Sequence, residues 1–157
     1  MIDVENLVVD TISKALKASA YSSTLVTSEY TDTPSSFPCV SVVEADNYTL
    51  SKTQDNDLKE HHIRVMYEVN VFSNKTSGKK TEAKKILDIV DTAFQNIKFT
   101  RTFKNSVPNK DKTIARMVAR YEAIIGEEQT DRFDGSNIFV LPSFDLRDND
   151  IDSLLFF

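Results

Sequence analysis

Apolar residues open the chain at three- and four-residue intervals: Val4, Leu7, Val8, Ile12, Ala15 and Leu16. That spacing predicts an α-helix with one apolar stripe. Asp3 stands where an N-cap belongs, and Glu5 suits the positive end of the helix dipole. Lys14 and Lys17 suit the other end. Residues 22–30, rich in Ser, Thr and Val, read as extended. A run of turn formers follows at 31–36. Residues 37–44 predict a strand, with Pro38 at its start, where a missing N–H matters least, and with β-branched Val40, Val42 and Val43 behind it.

Residues 46–60 are polar and contain no glycine, which suggests a protruding hairpin tip. The cleanest alternation runs over 61–72. Ile63, Val65, Tyr67, Val69 and Val71 take one side; His62, Arg64, Glu68 and Asn70 take the other, with Met66 as the exception. This is a half-buried strand. A turn at 73–78 leads into the strongest helical pattern, 79–97. Its stripe is Ala83, Ile86, Leu87, Val90, Ala93, Phe94 and Ile97. Residues 98–104 predict a strand with Phe99 and Phe103 on a shared face. After a turn at 107–111, residues 113–125 predict a long strand. Ala115, Met117, Ala119, Tyr121 and Ala123 face one way; Arg116, Val118, Arg120 and Glu122 face the other.

The element order predicts an α+β fold: a mainly antiparallel, hairpin-linked sheet covered on one face by two amphipathic helices. Residues 126–157 read differently, as an acidic C-terminal appendage to the domain of residues 1–125. It carries a possible strand at 137–141 and then an Asp-rich run. It ends in Leu154, Leu155, Phe156 and Phe157, which a domain does not usually leave in water. These four are expected to dock on their own or a neighbouring subunit.

Composition adds limits. The 157 residues suit one domain with a real core, at 40% hydrophobic and 27% charged. The formal net charge is −5. Residues 1–125 carry 17 Lys/Arg against 16 Asp/Glu; residues 126–157 carry two Arg against eight. A general nucleic-acid binder would present a basic field instead. The lone Cys39 cannot form an internal disulfide. The acidic start does not resemble a signal peptide, and no apolar run nears the roughly 20 residues that span a bilayer. Two glycosylation sequons, at Asn47 and Asn74, have no secretion signal to give them meaning.

Candidate chemistry is sparse. Three glycines, Gly78, Gly126 and Gly135, cannot build a dinucleotide fingerprint or a P-loop. His61 and His62 are neighbours on a strand and point to opposite faces, so they cannot easily share one metal. Cys39, amid valines, reads as an inert buried thiol. Asp148, Asp150 and Asp152 echo half a calcium loop, but Ser153 takes the glycine position and the chain ends before the closing glutamate. No catalytic residue, cofactor or metal is expected. Arg64, Arg101, Arg116 and Arg120 could make a basic stripe on one sheet face; without aromatic platforms between them the favoured reading is a wet sheet face or a subunit contact.

The segment 63–125 resembles the tail-terminator family of long-tailed bacteriophages. The resemblance rests on three stretches. The first is the strand end Tyr67-Glu68-Val69-Asn70-Val71-Phe72-Ser73-Asn74, followed by a turn with Ser77-Gly78. The second is the helix bearing Ala83, Ile86, Val90, Asp91 and Phe94. The third is the pair Phe99-Thr100-Arg101-Thr102-Phe103 and 113–123 around a Pro108-Asn109 turn. The first helix and Phe37-Pro38-Cys39-Val40 also fit, so the likeness covers about residues 1–125. It lies in element order and texture, without a short diagnostic motif.

The resemblance implies a structural virion protein that forms a homo-oligomeric ring, typically of six subunits. Such a ring caps the tail-tube protein, stops tube polymerisation and presents a docking surface for the head–tail connector protein. DNA passes through it only as cargo, and a tail sheath is a possible further partner. Assembly in the bacterial cytoplasm and residence in the virion neck follow. Candidate contacts with a neighbour or the tube are Asp46, Tyr48, Lys52, Asp55 and Lys59 in the long loop, Arg101, Arg116 and Arg120 on the sheet, and Leu154–Phe157. A connector or other neck protein is the nearest alternative, and a small nucleic-acid-binding domain a more distant one.

Overall fold

The computed structural model describes residues 3–49 and 62–126. Helix α1 (Glu5–Lys17) is followed by strands β1 (Leu25–Thr27), β2 (Cys39–Thr49) and β3 (His62–Ser73). Helix α2 (Lys79–Asn96) and strands β4 (Thr100–Val107) and β5 (Ala115–Gly126) complete the order. Among the described residues, the fold is the expected α+β arrangement of one five-stranded sheet and two helices, with strand order β1-β2-β3-β5-β4.

Pairing is antiparallel for β2–β3, β3–β5 and β4–β5. The expectation of hairpin linkage fails at β1, which lies parallel to β2 with Leu25 opposite Cys39. Residues 28–38 return the chain to the same end of the sheet, past a cis Phe37–Pro38 peptide. The return is pinned where the Ser41 hydroxyl donates to the Glu29 carbonyl at 2.8 Å. Helix α2 links β3 to β4, and β5 fits between them, which makes β3 and β4 parallel to each other.

Both helices cover one face. Val8, Ile12 and Leu16 from α1 and Ala83, Ile86, Val90 and Phe94 from α2 are buried against Val40, Val42, Ile63, Val65, Tyr67, Val69, Val71, Ala119, Tyr121, Ala123 and Ile125. The period-two pattern of β3 and β5 and the helical stripes therefore meet as one core. Its aromatic centre is Phe94, which stacks on Tyr121 with centroids 4.1 Å apart and planes 5° apart. Phe99 meets the Phe94 ring edge-on at 5.2 Å.

Local starts and stops differ from expectation in three places. Asp3 is not the N-cap of α1. Val4 takes that position, and the Asp3 carboxylate accepts from the Glu5 amide at 3.0 Å, one residue early. Gly78 is the N-cap of α2 at φ 80°, a left-handed conformation that glycine adopts without a Cβ penalty. β2 continues through Thr49 instead of stopping near Glu44. A bulge between Glu44 and Asp46 lets it resume pairing, so Asp46 and Tyr48 belong to a strand and not to a loop. The loop residues Lys52, Asp55 and Lys59, the acidic appendage beyond Gly126 and its Leu154, Leu155, Phe156 and Phe157 lie outside the described residues.

Candidate functional site

The face of the sheet turned away from the helices collects four of the five candidate residues that lie among the described residues: Asp46, Tyr48, Arg116 and Arg120. Strand parity puts Arg64, Met66, Glu68, Asn70 and Phe72 of β3 on it, beside Arg116, Val118, Arg120, Glu122 and Ile124 of β5. Asp46 and Tyr48 join from β2, opposite Met66 and Arg64.

These polar groups hold one another across strands. Arg120 Nε lies 3.1 Å from Glu68 Oε2, its direct register partner. Arg64 Nε lies 3.4 Å from Glu122 Oε1, one position along the diagonal. Arg116 Nε donates to Asn70 Oδ1 at 2.9 Å. Two of the guanidiniums also cover rings: Arg116 stands 5.7 Å from the Phe72 centroid, and Arg120 stands 5.3 Å from that of Phe103. Tyr48, 55% exposed, donates to Asp46 at 3.1 Å, and that hydrogen bond is the leading cause of its raised phenol pKa.

The expected basic stripe is therefore corrected in two ways. First, it is neutralised: Arg64, Arg116 and Arg120 share the face with Glu68, Glu122 and Asp46. The relevant signal was present in the sequence, because Glu68 and Glu122 hold the same parity as the arginines. Second, Arg101 is not on it. Arg101 lies on the helix side, where its guanidinium contacts Asp91 of α2 at 3.2 Å. The cause is a bulge between Arg101 and Phe103 in β4. An extra residue shifts side-chain parity, so Phe99 sits in the core while Phe103, 39% exposed, turns to the opposite face. The shared face expected for Phe99 and Phe103 does not exist, and Phe103 was missed as a surface residue for that reason.

Asp91 is the buried polar anchor behind the sheet. It accepts from Tyr121 Oη at 2.8 Å, from Arg101 and from Gln95 Nε2 at 2.9 Å. With its partners on α2, β4 and β5, this cluster is a structural joint. Glu44, on the core face of β2, accepts from Asn47 at 3.1 Å. Burial raises its carboxyl pKa, the Asn47 hydrogen bond opposes this, and the charges of Asp3 and Glu5 raise it further.

Cys39 is buried, and burial pushes its thiol up to about 11, so it stays protonated at neutral pH. A nucleophile would need the opposite shift. His62 lies in β3, whereas His61 is outside the described residues. Among the described residues, no group of three or more His, Cys, Asp or Glu is placed to hold a metal ion. No helix among them is long and apolar enough to cross a membrane. No protein-family model matches the chain, and no curated protein matches it.

Proposed function

We propose that the protein is a structural ring subunit that caps a phage tail tube, halting its polymerisation and offering a surface to the head connector. The observation that carries this reading is the pair of unlike sheet edges. Among the described residues, one edge is β1, three residues long and parallel to its neighbour; the other is β4, eight residues long, bulged and largely exposed. A ring closed by rotation needs two different surfaces on each subunit. A subunit whose two flanks differ in this way meets that requirement. The balanced Arg/Glu face between them suits contact with another protein surface. For nucleic acid the match is poorer, because arginines already paired with glutamates add little field for phosphates.

Mass measurement in solution, with and without purified tail-tube protein, tests the proposal. A closed oligomer that binds tube ends and stops their growth is the expected result. A persistent monomer that never caps tubes overturns it. Binding to the head connector without tube capping favours the neck-protein alternative.

A further inference from the structure

The two flanks of the sheet carry opposite charge. Residues 3–49, which build α1, β1, β2 and their connections, hold seven Asp/Glu against two Lys. Residues 98–114, which build β4 and the turns on either side of it, hold five Lys/Arg against one Asp. Strand order sets β1 and β2 on one flank, with α1 packed on both, and β4 on the other. Residues 1–125 are nearly neutral in total, so charge is separated across the body and is not in excess. On the basic flank, Arg101–Ser106 are exposed. Lys98, Lys104 and Lys110 are exposed too. They take no part in the salt bridges among the described residues, which join Arg64 to Glu122, Arg101 to Asp91 and Arg120 to Glu68. The sheet register sets the two charges level. Glu44, Tyr67, Tyr121 and Arg101 form one row from flank to flank. Further along the strands, the Glu29 carbonyl is held by Ser41, whose row runs through Asn70 and Val118 to Asn105, next to Lys104.

We propose that the basic β4 flank of one copy docks head to tail on the acidic α1–β1 flank of a second copy, with Lys98 and Lys104 meeting carboxylates that include Glu29. This docking rests on the ring reading above and names the surfaces that mate in it. The occupant is a second copy because both complementary halves stand on one chain at matching levels. Rotation about an axis along the strands keeps those levels and brings acid to base. A two-fold contact of β4 with β4 would instead set five cations against five, and like charges so placed repel. The bulge between Arg101 and Phe103 interrupts the edge, so the contact runs through side chains and not through an added strand. Contact between exposed charges is screened by salt.

Sedimentation of the full chain over a range of concentration, at low and high salt, is the test. Association that salt weakens is the expected result. Glu29→Lys and Lys104→Glu should each weaken it about tenfold or more. The double variant, whose net charge is that of the wild type, should recover most of the loss. Lys98→Gly separates docking from folding. Lys98 stands at φ 66° just past α2, where a helix C-terminus ordinarily takes glycine. Its replacement by glycine should raise Tm and yet weaken association. Association indifferent to salt and to all these substitutions overturns the docking and leaves the ring reading standing. A chain that stays monomeric overturns the docking too, even if it still caps tubes. Charge-dependent association without tube capping upholds the docking and sinks the capping reading. Binding of duplex DNA that Lys104→Glu abolishes, in a chain that never self-associates, assigns the basic flank to nucleic acid and overturns the proposal.

Discussion

Tyr121 Oη donates a 2.8 Å hydrogen bond to Asp91 Oδ1 while its ring stacks on Phe94, one turn further along the same helix. One side chain of β5 thus fixes both the rotation and the height of α2 over the sheet. Asp91 also receives Arg101 and Gln95, so its carboxylate is satisfied from three directions.

Tyr121→Phe removes one donor and leaves Asp91 two others. The expected cost is about 1 kcal/mol. Asp91→Ala strands the buried Tyr121 hydroxyl and should cost more, about 2–3 kcal/mol. Urea unfolding of both variants checks the order. Equal losses would show that the Arg101 and Gln95 contacts of Asp91 add nothing to the Tyr121 hydrogen bond.

Tyr67 and Tyr121 carry phenols whose pKa values are raised well above the ordinary 10.0, first by burial and then by nearby carboxylates: Glu44 for Tyr67 and Asp91 for Tyr121. A raised folded value means that the native state holds its proton more tightly than the unfolded chain. The resulting stability is present in full below pH 10 and is lost as pH climbs above it. Alkaline titration should therefore show tyrosinate absorbance from these two residues appearing together with loss of circular dichroism. Ionisation of either in an intact fold would contradict their burial.

Glu44 gives a second pH dependence. Its folded carboxyl pKa is raised by burial, against the Asn47 hydrogen bond, and by Asp3 and Glu5. Its contribution to stability is favourable below the ordinary value of 4.5 and is lost as pH rises through the folded value. Glu44→Gln should stabilise the protein at neutral pH, with the advantage disappearing in acid. Denaturation midpoints across the acid range check both the sign and the disappearance.

Gly78→Ala should destabilise α2 by about 1–2 kcal/mol, the cost of a Cβ in the left-handed region. Nothing lies within 4 Å of the added atom, so strain alone sets the effect. Asn, which tolerates this conformation better, should recover part of the loss in thermal melts.

Arg120→Ala separates assembly from folding. The Arg120–Glu68 pair is half exposed, and such pairs contribute at most about 1 kcal/mol to stability. Monomer stability should scarcely move. If this face meets a tube or a neighbour, capping or ring formation should weaken by a larger factor. Unchanged assembly would remove Arg120 from the contact set.

Much of the architecture was readable from residue order alone. The Ile63–Val71 alternation, the Ala83–Ile97 stripe and the Ala115–Ala123 alternation each appeared as the expected element with the expected face buried. Periodicity reports burial directly, because the side-chain repeat and the geometry of the element are the same fact. Three features were decided only by tertiary structure. The parallel direction of β1 was not legible, because a three-residue strand carries no signal for it. The bulges at Ala45 and Thr102 reset parity, and with it the positions of Asp46, Tyr48, Arg101 and Phe103. The arginines face glutamates because β3 and β5, separated by 41 residues (74–114), pair in a register that no local pattern contains. Charge and hydropathy along a chain determine which side of an element faces inward; which other element lies beside it depends on long-range packing, and which arginine meets which glutamate on this sheet face was settled there.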